Sequence, residues 1–348
     1  MKPMGPIPPE FAGQQGMLTI GGRAADDLVA EAGSPCFVYD PAIVAARVAR
    51  FRAALPGVDL HYAMKANPFP PLLAAIAPLV DGIDVASAGE LALALTAKAA
   101  ASISFAGPGK RDAELEAAIA AGATLNVESA NEARRALAIG DRLGRTPRLA
   151  VRVNPDLELK GSGMKMGGRP SPFGIDAEQA ADVVRLIVAG GADWRGFHIF
   201  AGSQALDVAA IIETQAATLA LAARLAEEAG AAPPLVNLGG GFGVPYFAGD
   251  VAVDVERIGA GAIMHALGDR IMGEDQRLAA DRERCRIVAQ ALGARMERKG
   301  AQRCDELGFV HFLILPPLRM GRIAWAQPRT SFATASRMPL TKPFSRRS

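Results

Sequence analysis

From residue 35 to residue 238, short apolar runs alternate with Ala/Leu-rich stretches, and this rhythm limits the fold more than any other feature of the chain. The strand-like runs are Cys36–Tyr39, Leu60–Met64, Ile83–Ala86, Ile103–Ala106, Leu125–Val127, Leu149–Val153, Gly196–Phe200 and Leu235–Leu238. Helical patterns lie between them at 41–54, 69–79, 88–98, 111–121, 129–143, 176–190 and 205–229. Strict alternation demands parallel strands with helices outside them, because a parallel neighbour is reached only by a crossover. An open doubly wound sheet and a closed barrel both meet that demand. No strand runs into G-x-G-x-x-G at a helix start, which argues against the dinucleotide-binding open sheet. The length suits a barrel of about 250 residues. The sequence therefore predicts an α/β fold, a (β/α)8 TIM-like barrel over 35–250. An N-terminal arm, 1–34, precedes it, punctuated by Pro and Gly around one apolar stretch, Met17–Ile20. In such a barrel, chemistry sits at the C-terminal ends of the strands.

Composition removes several classes of function. The chain has 38 basic and 36 acidic residues, a net charge of +2. That balance gives no reason to expect nucleic acid or a membrane surface as partner. Cys36, Cys285 and Cys304 stand far apart with no CxxC, so neither a disulfide scaffold nor a metal site is expected. Such cysteine usage suits a reducing cytoplasm. The opening Met-Lys-Pro-Met-Gly-Pro-Ile-Pro-Pro has no apolar h-region, so no secretory signal is expected. No uninterrupted apolar stretch reaches the ~18 residues of a membrane span.

Four stretches near predicted strand ends carry residues suited to chemistry. In His61-Tyr-Ala-Met-Lys65-Ala-Asn-Pro68, Lys65 follows an apolar strand and precedes a turn. A strand-end lysine ordinarily just reaches solvent. At a barrel mouth, partial burial lowers its pKa, and a neutral amine is what Schiff-base chemistry needs. In Gly82-Ile-Asp84-Val-Ala-Ser87-Ala-Gly-Glu90, Ser87 and Glu90 have the spacing of a capping box, and Asp84 stays open to a role in a site. In Gly196-Phe-His198-Ile-Phe200-Ala-Gly-Ser203-Gln204, His198 and Phe200 lie on one side of a strand, facing either the mouth or the core. Ser203 is a candidate phosphate donor. The run Gly239-Gly240-Gly241-Phe-Gly243 is either a flexible loop or an anion nest of backbone N–H groups. Loops after strands 7 and 8 of barrels recurrently bind phosphate.

Taken together and in this order, Tyr62–Asn67, Asp84–Glu90, Gly196–Gln204 and Gly239–Gly243 resemble the pyridoxal-phosphate-dependent decarboxylases of the alanine-racemase-like barrel class. That class includes the diaminopimelate and ornithine decarboxylases. The lead-in Met4–Pro9 and the segments Ser104–Asp112, Leu159–Gly168 and Val236–Gly243 resemble the subgroup associated with the exosortase A system. The resemblance covers roughly residues 1–250 and implies pyridoxal 5'-phosphate as cofactor. It implies Lys65 as the Schiff-base lysine and catalytic residue, Asp84 as an acidic residue near the cofactor, and Arg152 as a basic strand residue at the site. Ser203 with Gly239, Gly240 and Gly241 becomes the phosphate cradle. Diaminopimelate decarboxylases carry a ring-stacking histidine three residues before that serine. Here the position is Phe200, with His198 two residues earlier; Phe200 stacks but cannot accept a proton. The implied reaction is decarboxylation of a small amino acid of the diamino or basic kind. Racemisation on the same lysine, and cofactor or partner binding without turnover, stay open as alternatives.

The family pattern continues with an eighth strand bearing Glu-x-Gly-Arg. A C-terminal β-domain then completes the site across a homodimer with a cysteine and a tyrosine. In residues 251–348 this domain is missing or replaced. Asp305-Glu306-Leu-Gly308-Phe309 is the one echo of the motif, with Phe in place of Arg. Residues 1–251 contain 15 arginines and residues 252–348 another 15, the strand–helix rhythm stops, and only Arg286–Val288 and Phe309–Leu315 read as strands. A divergent extension explains any one of these changes, whereas a shift of coding frame past Gly249 explains all of them. The sequence further predicts no fixed structure for 319–348. Limited proteolysis is expected to remove the tail early and leave 35–245 resistant. A tail as protected as the barrel would show it to be a genuine domain.

Overall fold

The computed structural model describes residues 8–11, 13, 16–156, 164–165, 171–261 and 309–312. Two compact units are distinguished. The smaller holds an antiparallel hairpin, Thr19–Ile20 with Arg23–Ala24, and a helix, Ala25–Ala32. Gly21 and Gly22, at φ +58° and +75°, make its tight turn. The N-terminal arm thus has regular structure where the sequence pattern showed only one apolar stretch. Cys36–Tyr39, read from sequence as a strand, lies in this unit and is not one. It is confined between Pro35, which has no amide to donate, and Pro41, which opens a helix.

The larger unit is the barrel. Its strands are β1 (Asp59–Ala63), β2 (Gly82–Val85), β3 (Ile103–Phe105), β4 (Thr124–Val127), β5 (Arg148–Asn154), β6 (Asp193–Ile199), β7 (Val236–Asn237) and β8 (Phe309–Phe312). Each pairs in parallel with the next, and β8 pairs in parallel with both β7 and β1, so the ring closes. The predicted parallel (β/α) barrel is therefore what forms. Of the two tail segments read as strands, part of Phe309–Leu315 closes the ring, while Arg286–Val288 lies outside the described residues. So do residues 319–348 and the Asp305–Gly308 part of the Glu-x-Gly-Arg echo.

The helices are α1 (Pro41–Ala54), α2 (Pro70–Ile76), α3 (Ala88–Ala94), α4 (Asp112–Ala121), α5 (Ala130–Leu143), α6 (Ala177–Ala189) and α7 (Val208–Ala229). Their starts follow from short polar caps. Ser87 Oγ accepts from Glu90 N at 3.2 Å, Ser129 Oγ from Glu132 N at 3.1 Å, and Asp207 from Ala209 N and Ala210 N. Strand side chains such as Leu60, Tyr62, Ile83, Phe105, Leu125 and Phe197 are buried. By length and composition α7 could cross a membrane, yet it links the neighbouring parallel strands β6 and β7 and lies against α6. Past residue 250 the chain continues as a helix at 255–261, with Val255 and Ile258 buried and Arg50 paired to Glu256. Ordered packing therefore reaches beyond the limit of the sequence rhythm.

One glycine fixes how β6 meets β7. Gly196 has φ +95°, and a Cβ there would lie 1.8 Å from Leu235 O. The next amide, Phe197 N, donates to that same oxygen at 3.0 Å. Gly196→Ala is expected to cost about 2 kcal/mol or more, from backbone strain and the lost close approach. Urea denaturation of the two proteins measures it.

Candidate functional site

The C-terminal ends of the strands bring the candidate residues together. After β1 the chain makes a 3-10 turn, Met64–Ala66, that carries Lys65. Tyr62 Oη donates to Asn67 O at 2.9 Å and so ties this turn to its strand. Lys65 is open to solvent on one side, while protein on the others desolvates its amine. That desolvation pushes the amine below the ordinary lysine range, and the Arg152 charge adds to it; Asp84 and Glu90 pull the other way. The Lys65 amine stands 6.0 Å from the centroid of the Phe200 ring. Phe200 in turn lies flush on Gly239, where a Cβ would come within 2.5 Å of its Cδ2. Gly239 has φ +69°, so the position is closed to other residues by conformation as well as by space.

Two loops form the base beside this ring. Gln204, at φ +59°, donates from Nε2 to Val244 O and accepts from Val244 N at Oε1. Ala205 N donates to Gly241 O at 2.9 Å, and Gly243 N to Ala205 O at 2.8 Å. The Ser203 loop and the glycine run are thus sewn to each other. Within the run, Gly239 N is taken by Asn237 Oδ1 at 2.8 Å and Gly243 N by Ala205 O, so the anion-facing amides are sought at Gly240 and Gly241 between them. His198 is buried on β6, in register with Arg152 on one side and Asn237 on the other.

Arg152 is held by a buried ionic chain that the sequence reading missed. Its Nη1 donates to Glu128 Oε1 at 3.0 Å, and its guanidinium carbon lies 5.0 Å from the Phe173 ring centroid. Glu128 also accepts from Gly107 N and Gly174 N. Glu132 accepts from Glu128 N at 3.2 Å and from Lys110 Nζ at 2.5 Å, and Lys110 further donates to Gly107 O and Asn126 O. Burial pushes the Glu132 carboxyl up, and the Lys110 ammonium works against that. A signal existed: Ser129-Ala-Asn-Glu132 repeats the spacing of Ser87-Ala-Gly-Glu90, each directly after a strand. Glu90 reaches back past its cap to Ala86 N at 2.7 Å, just as Glu132 reaches Glu128 N. His61, bonded to Asp84 at 2.7 Å, was missed as well.

These residues fit pyridoxal phosphate. An amine of lowered basicity would suit the aldehyde, and an aromatic face seated on a glycine would suit the ring. A serine beside a stitched glycine run would suit the phosphate. Among the described residues no group of three His, Cys, Asp or Glu could hold a metal.

Comparison with known proteins agrees. Residues 42–288, more than half the chain, match the family model described as pyridoxal-dependent decarboxylase, pyridoxal binding domain. The L-glutamyl-[BtrI acyl-carrier protein] decarboxylase of Niallia circulans is 35% identical over 65% of this chain and 54% of its own length. The diaminopimelate decarboxylase of Archaeoglobus fulgidus is 31% identical over 68% of this chain and 57% of its own. The chain thus spans little more than half the length of these relatives. Among solved structures, the diaminopimelate decarboxylase of M. jannaschi superposes with a TM-score of 0.68 at 27% identity, covering 74% of this chain and 62% of that one. The Helicobacter pylori enzyme complexed with L-lysine gives 0.64 at 27% identity, over 70% and 63%. The chain belongs to the pyridoxal-dependent decarboxylase family and carries its pyridoxal-binding domain, which makes pyridoxal phosphate its cofactor.

Proposed function

We propose that this barrel is built to decarboxylate an amino acid, with the cofactor attached at Lys65. The observation that carries the reading is the Lys65 amine, lowered in basicity and 6.0 Å from an aromatic ring at the mouth of a closed barrel. Lys65 Nζ would hold the cofactor aldehyde, Phe200 its ring face, and Ser203 with Gly240 and Gly241 its phosphate. When bound, the cofactor supplies an electron sink for the carbon that loses its carboxylate. The chain's own part is to orient and to handle protons. Lys65 Nζ releases its proton more readily than an exposed lysine, and Asp84 keeps a negative charge near it. Arg152, fixed by Glu128, places a guanidinium there. Phe200 excludes water from its face but cannot move a proton.

One relative is a decarboxylase of an L-glutamyl acyl-carrier protein and the other of diaminopimelate, so the relatives differ in substrate. We therefore confine the substrate to an amino acid, with the diamino or basic kind first to test. The segments Ser104–Asp112 and Leu159–Gly168 support placing the chain in the exosortase-A-associated subgroup, and its cysteine usage supports a cytoplasmic location. The resemblance implies a cysteine and a tyrosine from the C-terminal domain that complete the site across a homodimer. The three tyrosines of this chain are Tyr39, Tyr62 and Tyr246, so residues 251–348 supply none. With Glu-x-Gly-Arg also reduced to an echo, we propose that the chain as encoded binds cofactor and turns over little substrate.

Borohydride reduction of the protein with added pyridoxal phosphate is expected to fix the label on Lys65, and Lys65→Ala to abolish it. Carbon dioxide release from diamino acids should be small. Loss of optical rotation without carbon dioxide would point to racemisation, and a label that persists on another lysine would overturn the assignment.

A further inference from the structure

His61 has no part in the site as described so far, yet it is placed with care. It lies on β1, four residues before Lys65, with its side chain 4% exposed. In the β1–β2 register His61 faces Gly82, and Ala63 faces Asp84. Glycine at 82 is what admits the imidazole, since a Cβ there would lie 2.1 Å from His61 Nε2. The ring thereby crosses onto β2, and its Nδ1 meets Asp84 Oδ1 at 2.7 Å. The Asp84 side chain is 9% exposed. Asp84 and Glu90 are the two carboxylates whose charges favour the Lys65 ammonium, and Arg152 opposes them. His61 is faced by Asp84 and also feels Asp59 on its own strand.

A carboxylate so enclosed is costly to keep ionised unless donors meet it. An imidazole N–H at this distance is such a donor, and with Asp84 ionised it is Nδ1 that carries the proton. We propose that His61 is a positioning residue that holds Asp84 as the carboxylate counter-charge of Lys65. Gly82 is the other half of the device, since any side chain there would push the imidazole off Asp84. The inference deepens the reading of Lys65 as the cofactor lysine and rests on it for its functional meaning. Its test uses the cofactor-free protein, so that the two can fail separately.

Lys65 is titrated by competitive acetylation across pH, with its peptide read by mass spectrometry. In His61→Leu, Asp84 takes up a proton and Lys65 loses its counter-charge. Its amine fraction below the midpoint should then rise about tenfold, the equivalent of one pKa unit. His61→Asn, whose amide nitrogen replaces Nδ1, should keep the wild-type curve. Asp84→Asn should give the same rise as His61→Leu, and combining the two should add nothing. A His61→Leu protein that melts earlier but keeps the wild-type Lys65 curve overturns the proposal, because packing alone then explains the residue. A curve that moves the other way also overturns it, since His61 would be acting as a cation on Lys65. If His61→Leu does not fold, the wild-type protein carries the test. The carboxyl carbon signal of Asp84, assigned by its loss in Asp84→Asn, should sit at its ionised position at neutral pH, and a protonated signal overturns the proposal. Borohydride labelling of another lysine, with these curves as expected, would sink the cofactor reading and leave the His61–Asp84 pairing standing.

Discussion

A parallel barrel has no stable edge, so every strand needs a partner on both sides, and the last gap decides whether the others hold. Here that gap lies between β7 and β1, and Phe309–Phe312 fills it, pairing at Asn237 on one side and along Asp59–Tyr62 on the other. Without a strand there, β1 would present open N–H and C=O groups and the lumen would be open to water. Lys65, Asp84 and His61 all hang from the β1–β2 edge of that gap. The site's geometry therefore depends on a segment far away in sequence, drawn from the part of the chain where the pattern is least regular.

Closure also sets the electrostatics of the mouth. The ends of β1 to β5 and the turns after them carry Lys65, Asp84, Lys110, Glu128 and Arg152. Buried charges are tolerated only when paired and hydrogen-bonded, and breaking such a pair by removing one partner costs about 3–5 kcal/mol. The chain meets this with two separate devices. The Lys110–Glu132–Glu128–Arg152 chain spreads its charges over backbone donors and acceptors on neighbouring strands. On the other side, His61 and Asp84 form a compact pair in the space that Gly82 vacates. Lys65 sits between the two, lowered by the Arg152 side and supported by the Asp84 side.

The barrel was legible because its signal is periodic and local. The runs at Leu60, Ile83, Ile103, Leu125, Leu149, Gly196 and Leu235 each fall on an observed strand or within a residue of one. Cys36–Tyr39 failed because an apolar tetrapeptide carries no information about whether a pairing partner exists. Lys65, Asp84, Arg152, Phe200 and Gly239 could be named because they stand at strand ends in recognisable motifs, and the structure gathers them at one mouth. Glu128, Lys110 and His61 escaped because their roles come from pairing across strands. Nothing local in Glu128-Ser129 shows that Arg152, 24 residues on, will need its carboxylate. Gly82 was the subtlest case, since its meaning is the absence of a side chain opposite His61.

The proposed separation of binding from turnover along this chain has a physical reason. The amine, the aromatic face and the glycine cradle are all in place by Gly241, on strands β1 to β7 and the loops that follow them. On our proposal they would hold the cofactor through Lys65, the Phe200 face and the stitched loop beside Ser203. On the same proposal turnover asks for more, an acidic charge toward the bound cofactor that would make it an electron sink, worth about 1.5–3 kcal/mol as a charge-assisted bond. That charge belongs to the Glu-x-Gly-Arg position, which the sequence reduces to Asp305–Phe309. The ring-closing strand begins at Phe309, at the very end of this echo. Backbone pairing needs no particular side chain, so a segment can complete the barrel while losing the residue that chemistry requires. On the proposal that this chain binds cofactor and turns over little substrate, one stretch of sequence serves two unequal demands.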